Sequence, residues 1–169
     1  QTTRENDWTT GTNEQHTTVD ACDEAIWNYA YTSDGGQTTS NLVWATDTFE
    51  AAGCTASSGH IQSTDAMTYQ PVLRWTNPLG RNAGLHVVGT VTVRSSLAGA
   101  VVPVELWQDD GGGRSIIFSR EVEAVAAGTD YPVMIDLTTQ VLAGTGVMLT
   151  FGSGSSAAQT ITLSDSGLT

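Results

Sequence analysis

Apolar and polar side chains change places at every second residue through most of the latter half of this 169-residue chain, and that period is the signature of a strand. Leu85, Val87, Val91 and Val93 form one row, with His86, Val88, Thr90, Thr92 and Arg94 opposite. Val102, Val104 and Leu106 alternate with Pro103, Glu105 and Trp107. Tyr131, Val133, Ile135 and Leu137 alternate with Pro132, Met134 and Asp136. Val147, Leu149 and Phe151 make a further row, and Ile161 and Leu163 the last. A strand with one apolar face must bury it against a second layer. Many such strands, joined by Gly-rich turns, predict an all-β protein: an antiparallel, jelly-roll-like β-sandwich of about 9–11 strands. Beyond a single turn at residues 20–24, no stretch carries a helical period.

The first half is less regular. Residues 25–32 alternate, with Trp27, Tyr29 and Tyr31 on one side. Residues 41–49 place Leu42, Trp44 and Thr46 on one side, and Ser33-Asp34-Gly35-Gly36 marks the turn between the two segments. Residues 67–76 read as a strand containing Pro71. Proline cannot donate to a ladder, so this strand is expected at an edge or with a bulge. Residues 1–20 are polar and rich in Thr, with Trp8 the only large apolar side chain. Branched Thr resists helix, so they read as an extended arm beside a single sandwich domain at 21–169. Thr2, Thr3, Trp8, Thr9 and Thr10 are its candidate assembly residues, docking on the protein's own sheet or on a neighbouring copy.

Charge narrows the partners. The chain carries 18 acidic against 6 basic residues, a net charge of −12, and every basic residue is Arg. Such a surface repels nucleic acid and anionic lipid, so neither nucleic-acid binding nor membrane insertion is expected. Cys22 and Cys54 are either a disulfide or two free thiols. The composition looks secreted, which favours the disulfide. It would close a loop of about 30 residues and contribute roughly 3–4 kcal/mol. The spacing of His16 and His60 from these cysteines fits no zinc motif.

Several residues carry candidate chemistry. Trp107, beside Glu105, Gln108 and Asp109, is the foremost candidate for stacking on the C–H face of a sugar ring, followed by Trp44 and Trp8. Asp109 and Asp110, before three glycines, are candidate calcium ligands, since Gly frees carbonyl oxygens and paired Asp supplies charge. Asp20, Asp23 and Glu24 are a second acidic cluster. Glycoside cleavage needs two flanking carboxyl groups, but Glu105, Glu121 and Glu123 fit solvated strand faces better. No G-x-S-x-G elbow occurs, His16, His60 and His86 are scattered, and no catalytic set emerges. The chain is therefore expected not to be an enzyme and to need no cofactor, calcium excepted.

Two motifs add a likeness: Trp27-Asn28-Tyr29-Ala30-Tyr31, and Pro71-Val72-Leu73-Arg74-Trp75-Thr76-Asn77-Pro78. With the strand at 84–93, the hairpin at 106–118 and the segment 141–151, residues 27–165 resemble secreted bacterial β-sandwich domains of surface and matrix proteins. Ala30 stands where that family favours Gly, and Gly144-Thr145 where Gly-Asp is usual. The resemblance implies an extracellular or cell-surface location and no catalytic residues. Together with the arm, it leads to the expectation of a structural subunit of a surface or filament assembly that self-associates through residues 1–20. The alternative is a carbohydrate-binding module, possibly calcium-dependent, whose partner is an extracellular polysaccharide.

Overall fold

A computed structural model describes residues 27–34, 38–45, 48–57, 60–77, 79–152 and 160–168. Thirteen strands run through them: β1 (Trp27–Thr32), β2 (Ser40–Asn41), β3 (Val43–Ala45), β4 (Thr48–Ala51), β5 (Cys54–Ser57), β6 (His60–Ser63), β7 (Gln70–Thr76), β8 (Ala83–Ser95), β9 (Ala100–Asp109), β10 (Arg114–Ala124), β11 (Asp130–Val141), β12 (Gly146–Phe151) and β13 (Ile161–Leu168). They form two antiparallel sheets, one of six strands in the order β10-β9-β12-β7-β1-β2 and one of seven in the order β11-β8-β13-β6-β5-β4-β3. The protein is an all-β sandwich, as the alternation predicts. From β7 onward the chain changes sheet at every connection except the β9–β10 hairpin, so neighbours in sequence face each other across the core.

The alternation becomes the core directly. Val87, Val91, Val93, Val102, Val104, Leu106, Val133, Ile135, Val147, Leu149, Phe151, Ile161 and Leu163 are all buried. Tyr29 of β1 meets Phe49 of β4 across the two sheets, with ring centroids 5.0 Å apart. Fully burying an aliphatic side chain of this kind contributes about 1.5–3 kcal/mol, and this shared core holds the sheets together. Asn77, buried at the end of β7, pins the adjoining loops. Its side-chain amide donates to the carbonyls of Arg81, Val141 and Leu142 at 3.0, 3.3 and 3.1 Å, and its Oδ1 accepts from Leu79 N at 3.0 Å.

Two features of the first half differ from the sequence expectation. Residues 41–49 are not one strand. The end of β2, at Asn41, belongs to the six-stranded sheet, Leu42 is buried at the crossing, and β3 and β4 then pair as a tight hairpin in the other sheet. Short strands like these raise the count to thirteen. The hairpin between β4 and β5 turns on Ala52 and Gly53, at φ 50° and 74°, the positive pair that a type I′ turn requires. A Cβ on Gly53 would also lie 2.8 Å from Thr64 Oγ1.

Pro71 is the second difference, for β7 is a central strand with β1 and β12 on its two sides. The β12 ladder stops at the Val72–Thr150 pair, one residue short of the proline. The Thr150 hydroxyl donates to the Pro71 carbonyl at 2.9 Å, which shows that Pro71 turns its backbone polar side toward β12. Its missing N–H therefore falls just past the ladder's end, and neither an edge nor a bulge is needed.

A candidate binding face on the six-stranded sheet

Register assigns the residues of the outer face. In β9, Asp109, Trp107 and Glu105 point away from the core, because Val104 and Leu106 point in. Their cross-strand partners on β10 are Arg114, Ile116 and Ser119. On the other side, Trp107 pairs with Met148 of β12, and Met148 with Arg74 of β7. Glu105 pairs with Thr150, Thr150 with Val72, and Val72 with Ala30 of β1. The result is three rows across the sheet: a charged row at Asp109 and Arg114, an apolar row at Ile116, Trp107 and Met148, and a row beginning at Glu105.

Trp107 is half-buried and packs on a small apolar cluster of Ala30, Val72 and Met148. Its indole N–H donates to Glu105 Oε2 at 2.9 Å. The indole thus has apolar neighbours, while its N–H is tied down by a residue two positions away on the same strand. Ile116 beside it is 48% exposed, a large apolar side chain left in water. The sequence pointed to Trp107 but missed Ala30, Val72 and Met148. The signal was the unbroken apolar run of Val147, Met148 and Leu149, because a strand buried on both faces shows no alternation.

The charged groups of this face, Asp109 and Arg114 of one row and Arg74 at the end of the apolar row, are unevenly paired. Arg74 Nη2 lies 3.5 Å from Asp109 Oδ2, with both side chains partly exposed. The Nε of Arg74 and the Nη1 of Arg114 are buried and meet no acceptor. Asp109 Oδ1 accepts from Gly111 N at 2.9 Å, and Asp110 Oδ1 from Gly112 N and Gly113 N at 3.0 and 2.7 Å. The two candidate calcium ligands are therefore engaged in shaping the β9–β10 turn, which is a common task of Asp beside Gly.

The other candidates disperse. Gln108 points inward and bridges the sheets: its Nε2 donates to the Gln140 carbonyl at 2.6 Å, and its Oε1 accepts from the Thr139 hydroxyl of β11. It does not share the face of Trp107, since adjacent residues of a strand point to opposite sides. Trp44 lies in β3, the edge strand of the seven-stranded sheet, whereas β9 belongs to the other sheet. Trp8, the arm residues Thr2, Thr3, Thr9 and Thr10, and the acidic cluster Asp20, Asp23 and Glu24 lie outside the described residues. Glu121 and Glu123 are exposed on β10, on the same outer face as Glu105. His86 is exposed, with its Nε2 2.8 Å from Asp136 Oδ1.

Cys54 does not appear in a disulfide. It is a free, buried thiol on β5, and its expected partner Cys22 lies outside the described residues. Burial pushes its pKa up to about 12, Asp65 adds to the rise, and a hydrogen bond with Ser63 opposes it. A neutral thiol of this kind behaves as a small apolar core residue.

No protein-family model and no curated protein matches this chain. Solved structures of similar architecture do exist. One described as "CBM4 structure and function" shares 13% identity at a TM-score of 0.43, covering 85% of each chain. The K3 cleaved adhesin domain of Lys-gingipain from Porphyromonas gingivalis shares 14% at 0.46, covering 83% of this chain and 90% of that one. The N-terminal cellulose-binding domain of β-1,4-glucanase C from Cellulomonas fimi shares 15% at 0.39, covering 83% and 87%. At this distance, what the chain has in common with them is a β-sandwich architecture.

Proposed function

We propose that this chain is an extracellular, non-catalytic saccharide-binding domain whose site is the outer face of the six-stranded sheet, with Trp107 as the stacking platform. The observation that carries the proposal is the state of the Trp107 indole. Its N–H is already spent on Glu105, and the side chain packs against the cluster of Ala30, Val72 and Met148. The ring is therefore held in one orientation before any ligand arrives, which lowers the entropic cost of stacking a pyranose on it. Exposed Ile116 extends the apolar strip, and Glu105 supplies a hydroxyl acceptor at its margin. Some of the architecturally similar structures are named as carbohydrate-binding modules, but the proposal stands on this geometry alone. The assembly reading rests on residues 1–20, outside the described ones, and draws no support from the sheets.

The test is a glycan array probed with and without calcium, followed by calorimetry on the strongest binder. Trp107→Ala is expected to weaken binding by about tenfold or more with the far-ultraviolet spectrum unchanged, and Trp107→Phe by less. Loss of binding on chelation would add calcium at Asp109 and Asp110. An array blank under both conditions, or a Trp107→Ala variant that binds as well as the parent, would overturn the proposal.

A further inference from the structure

We infer that the residues preceding β1, 1–26, lie across the middle of the six-stranded sheet's outer face, which is thus a docking surface for the protein's own N-terminal segment. The inference goes beyond the saccharide reading and does not depend on it. It starts from a burial that the core between the sheets does not explain. Val147 and Leu149 of β12, Leu73 of β7, and Tyr29 and Tyr31 of β1 pack into that core. Met148, Thr150, Val72, Ala30 and Thr32 therefore point the other way, toward the side of an antiparallel sheet that water ordinarily covers. Yet Met148 and Val72 are only 3% exposed, Thr150 4%, and Ala30 and Thr32 2%. On the other sheet the outward side chains of the central strands reach water: Thr162 of β13 and Gln62 of β6 are half-buried, and His60 is exposed.

The described side chains on this face do not roof the patch. Trp107 packs against it from β9, but β9 and β1 are three strand spacings apart, about 14 Å, too far for one indole to span. Arg74 leans toward Asp109, 3.5 Å from its Oδ2, and so away from the row of Val72 and Ala30. Connection lengths then single out the segment. Residues 35–37, 46–47 and 58–59 are links of two or three residues, and residues 153–159 must carry the chain from β12 to β13 in the opposite sheet. Residues 1–26 instead lead straight into Trp27, the first residue of β1 on this very sheet. Extended, they reach up to about 85 Å, several times the width of the patch.

The chemistry of the patch suits such a cover. The Thr150 hydroxyl is taken up by the Pro71 carbonyl, and the Thr32 hydroxyl donates to Asp34 Oδ1 at 2.8 Å. With both hydroxyls satisfied, the patch offers chiefly apolar surface, and Trp8 is the large apolar side chain of the first twenty residues. The margin at β9 and β10 stays open, since Trp107 is half-buried and Ile116 and Ser119 are exposed. Any ligand of this face therefore enters from that margin, and a segment docked on its own sheet is not free to pair with a neighbouring copy.

Photo-methionine incorporated into the full chain identifies the cover. The chain has three methionines, of which Met67 and Met134 are exposed and serve as controls. On irradiation of the folded protein, position 148 is expected to crosslink within one chain to a peptide from residues 1–26, with position 134 giving little such product. A product of position 148 with any other segment, with a second copy, or with its neighbouring strands alone would overturn the inference. Peroxide oxidation of the unmodified chain is the second measurement. Met148 sulfoxide should form about tenfold more slowly than Met134 sulfoxide in the folded protein, and equally fast once urea unfolds it. Equal rates in the folded protein would also overturn the inference. Neither readout involves a glycan, so the saccharide reading stands or falls separately.

Discussion

The outer faces of the two sheets are built on the same alternation yet differ in how they finish their chemistry. On the seven-stranded sheet, polar groups satisfy one another. Arg94 makes a two-pronged contact with Asp130 at 2.7 and 2.8 Å, His86 meets Asp136, and the Thr162 hydroxyl donates to Gln62 at 3.0 Å. On the six-stranded sheet, an aromatic side chain packs against an apolar cluster and two guanidinium nitrogens lack acceptors; exposed apolar side chains do not separate the faces, since Met134 and Val43 of the seven-stranded sheet are more exposed than Ile116. A face whose donors and acceptors are internally matched has little to gain from a ligand. A face with an oriented ring and unmet donors has more, since binding completes contacts that folding left open.

The contrast can be broken most sharply at Gly146, which begins β12 in the middle of the six-stranded sheet. A Cβ there would fall 1.9 Å from the Trp75 carbonyl oxygen, so backbone must shift to admit any side chain. Gly146→Ala is expected to cost about 4 kcal/mol or to prevent folding, as read by urea unfolding. Normal stability would mean that β7, the neighbouring strand of the same sheet, lies farther from the start of β12 than the structure shows. Asn77 comes next, at the joint that ties β7 to the end of β11. Asn77→Ala strands three carbonyls and should cost about 2–3 kcal/mol in the same measurement, with Trp107 fluorescence altered only through global unfolding.

Cys54 sharpens the comparison from within, because β5 belongs to the quieter sheet. Its thiol should resist iodoacetamide in the folded protein at pH 8 and react once urea unfolds it. A Cys54 that stays unlabelled in urea until a reductant is added would restore the disulfide with Cys22. The sign of its pH effect follows from its pKa, raised in the folded state from 9.0 to about 12. The unfolded chain loses this proton first, so stability falls as pH rises from about 9 toward 12 and is unaffected by this group below that window.

The smallest effect belongs to the exposed Arg94–Asp130 pair. The Arg94 hydrogen bond and charge hold the Asp130 carboxyl below its ordinary range. A lowered carboxylate pKa stabilises the fold above the unfolded value and loses that contribution as pH falls through the folded one. Asp130→Asn should therefore change the melting temperature barely at neutral pH, and the difference from the parent should vanish in acid. A large shift would show that the seven-stranded face depends on its ion pairs more than their exposure allows.

Much of this fold was legible because alternation is a local property. The rows at Val91 and Val93, at Val104 and Leu106, and at Val133 and Ile135 needed only neighbours in sequence to be read, and all six side chains are buried. The hairpin inside residues 41–49 was not legible, because a chain can cross from one sheet to the other at Leu42 without changing its period. Pro71 misled for a related reason: a proline's cost depends on where the neighbouring ladder stops, and the ladder belongs to β12, some seventy-five residues away. Of the candidate site, Trp107 and Glu105 were visible as a pair two apart on one strand. Gln108 was wrongly placed with them although the alternation already assigned it to the opposite side.

What the sequence determined by itself was the class of structure and the facing of its long strands, since each side chain's side is settled by the pleat of its own backbone. Which strands became neighbours was decided only in three dimensions. Met148 lies beside Trp107, and Arg74 reaches Asp109, because β12 pairs with β9 and β7 follows it in the sheet, and no local pattern encodes that order. A binding face is made of residues brought together by sheet order, so its chemistry exists only once the non-local pairings form.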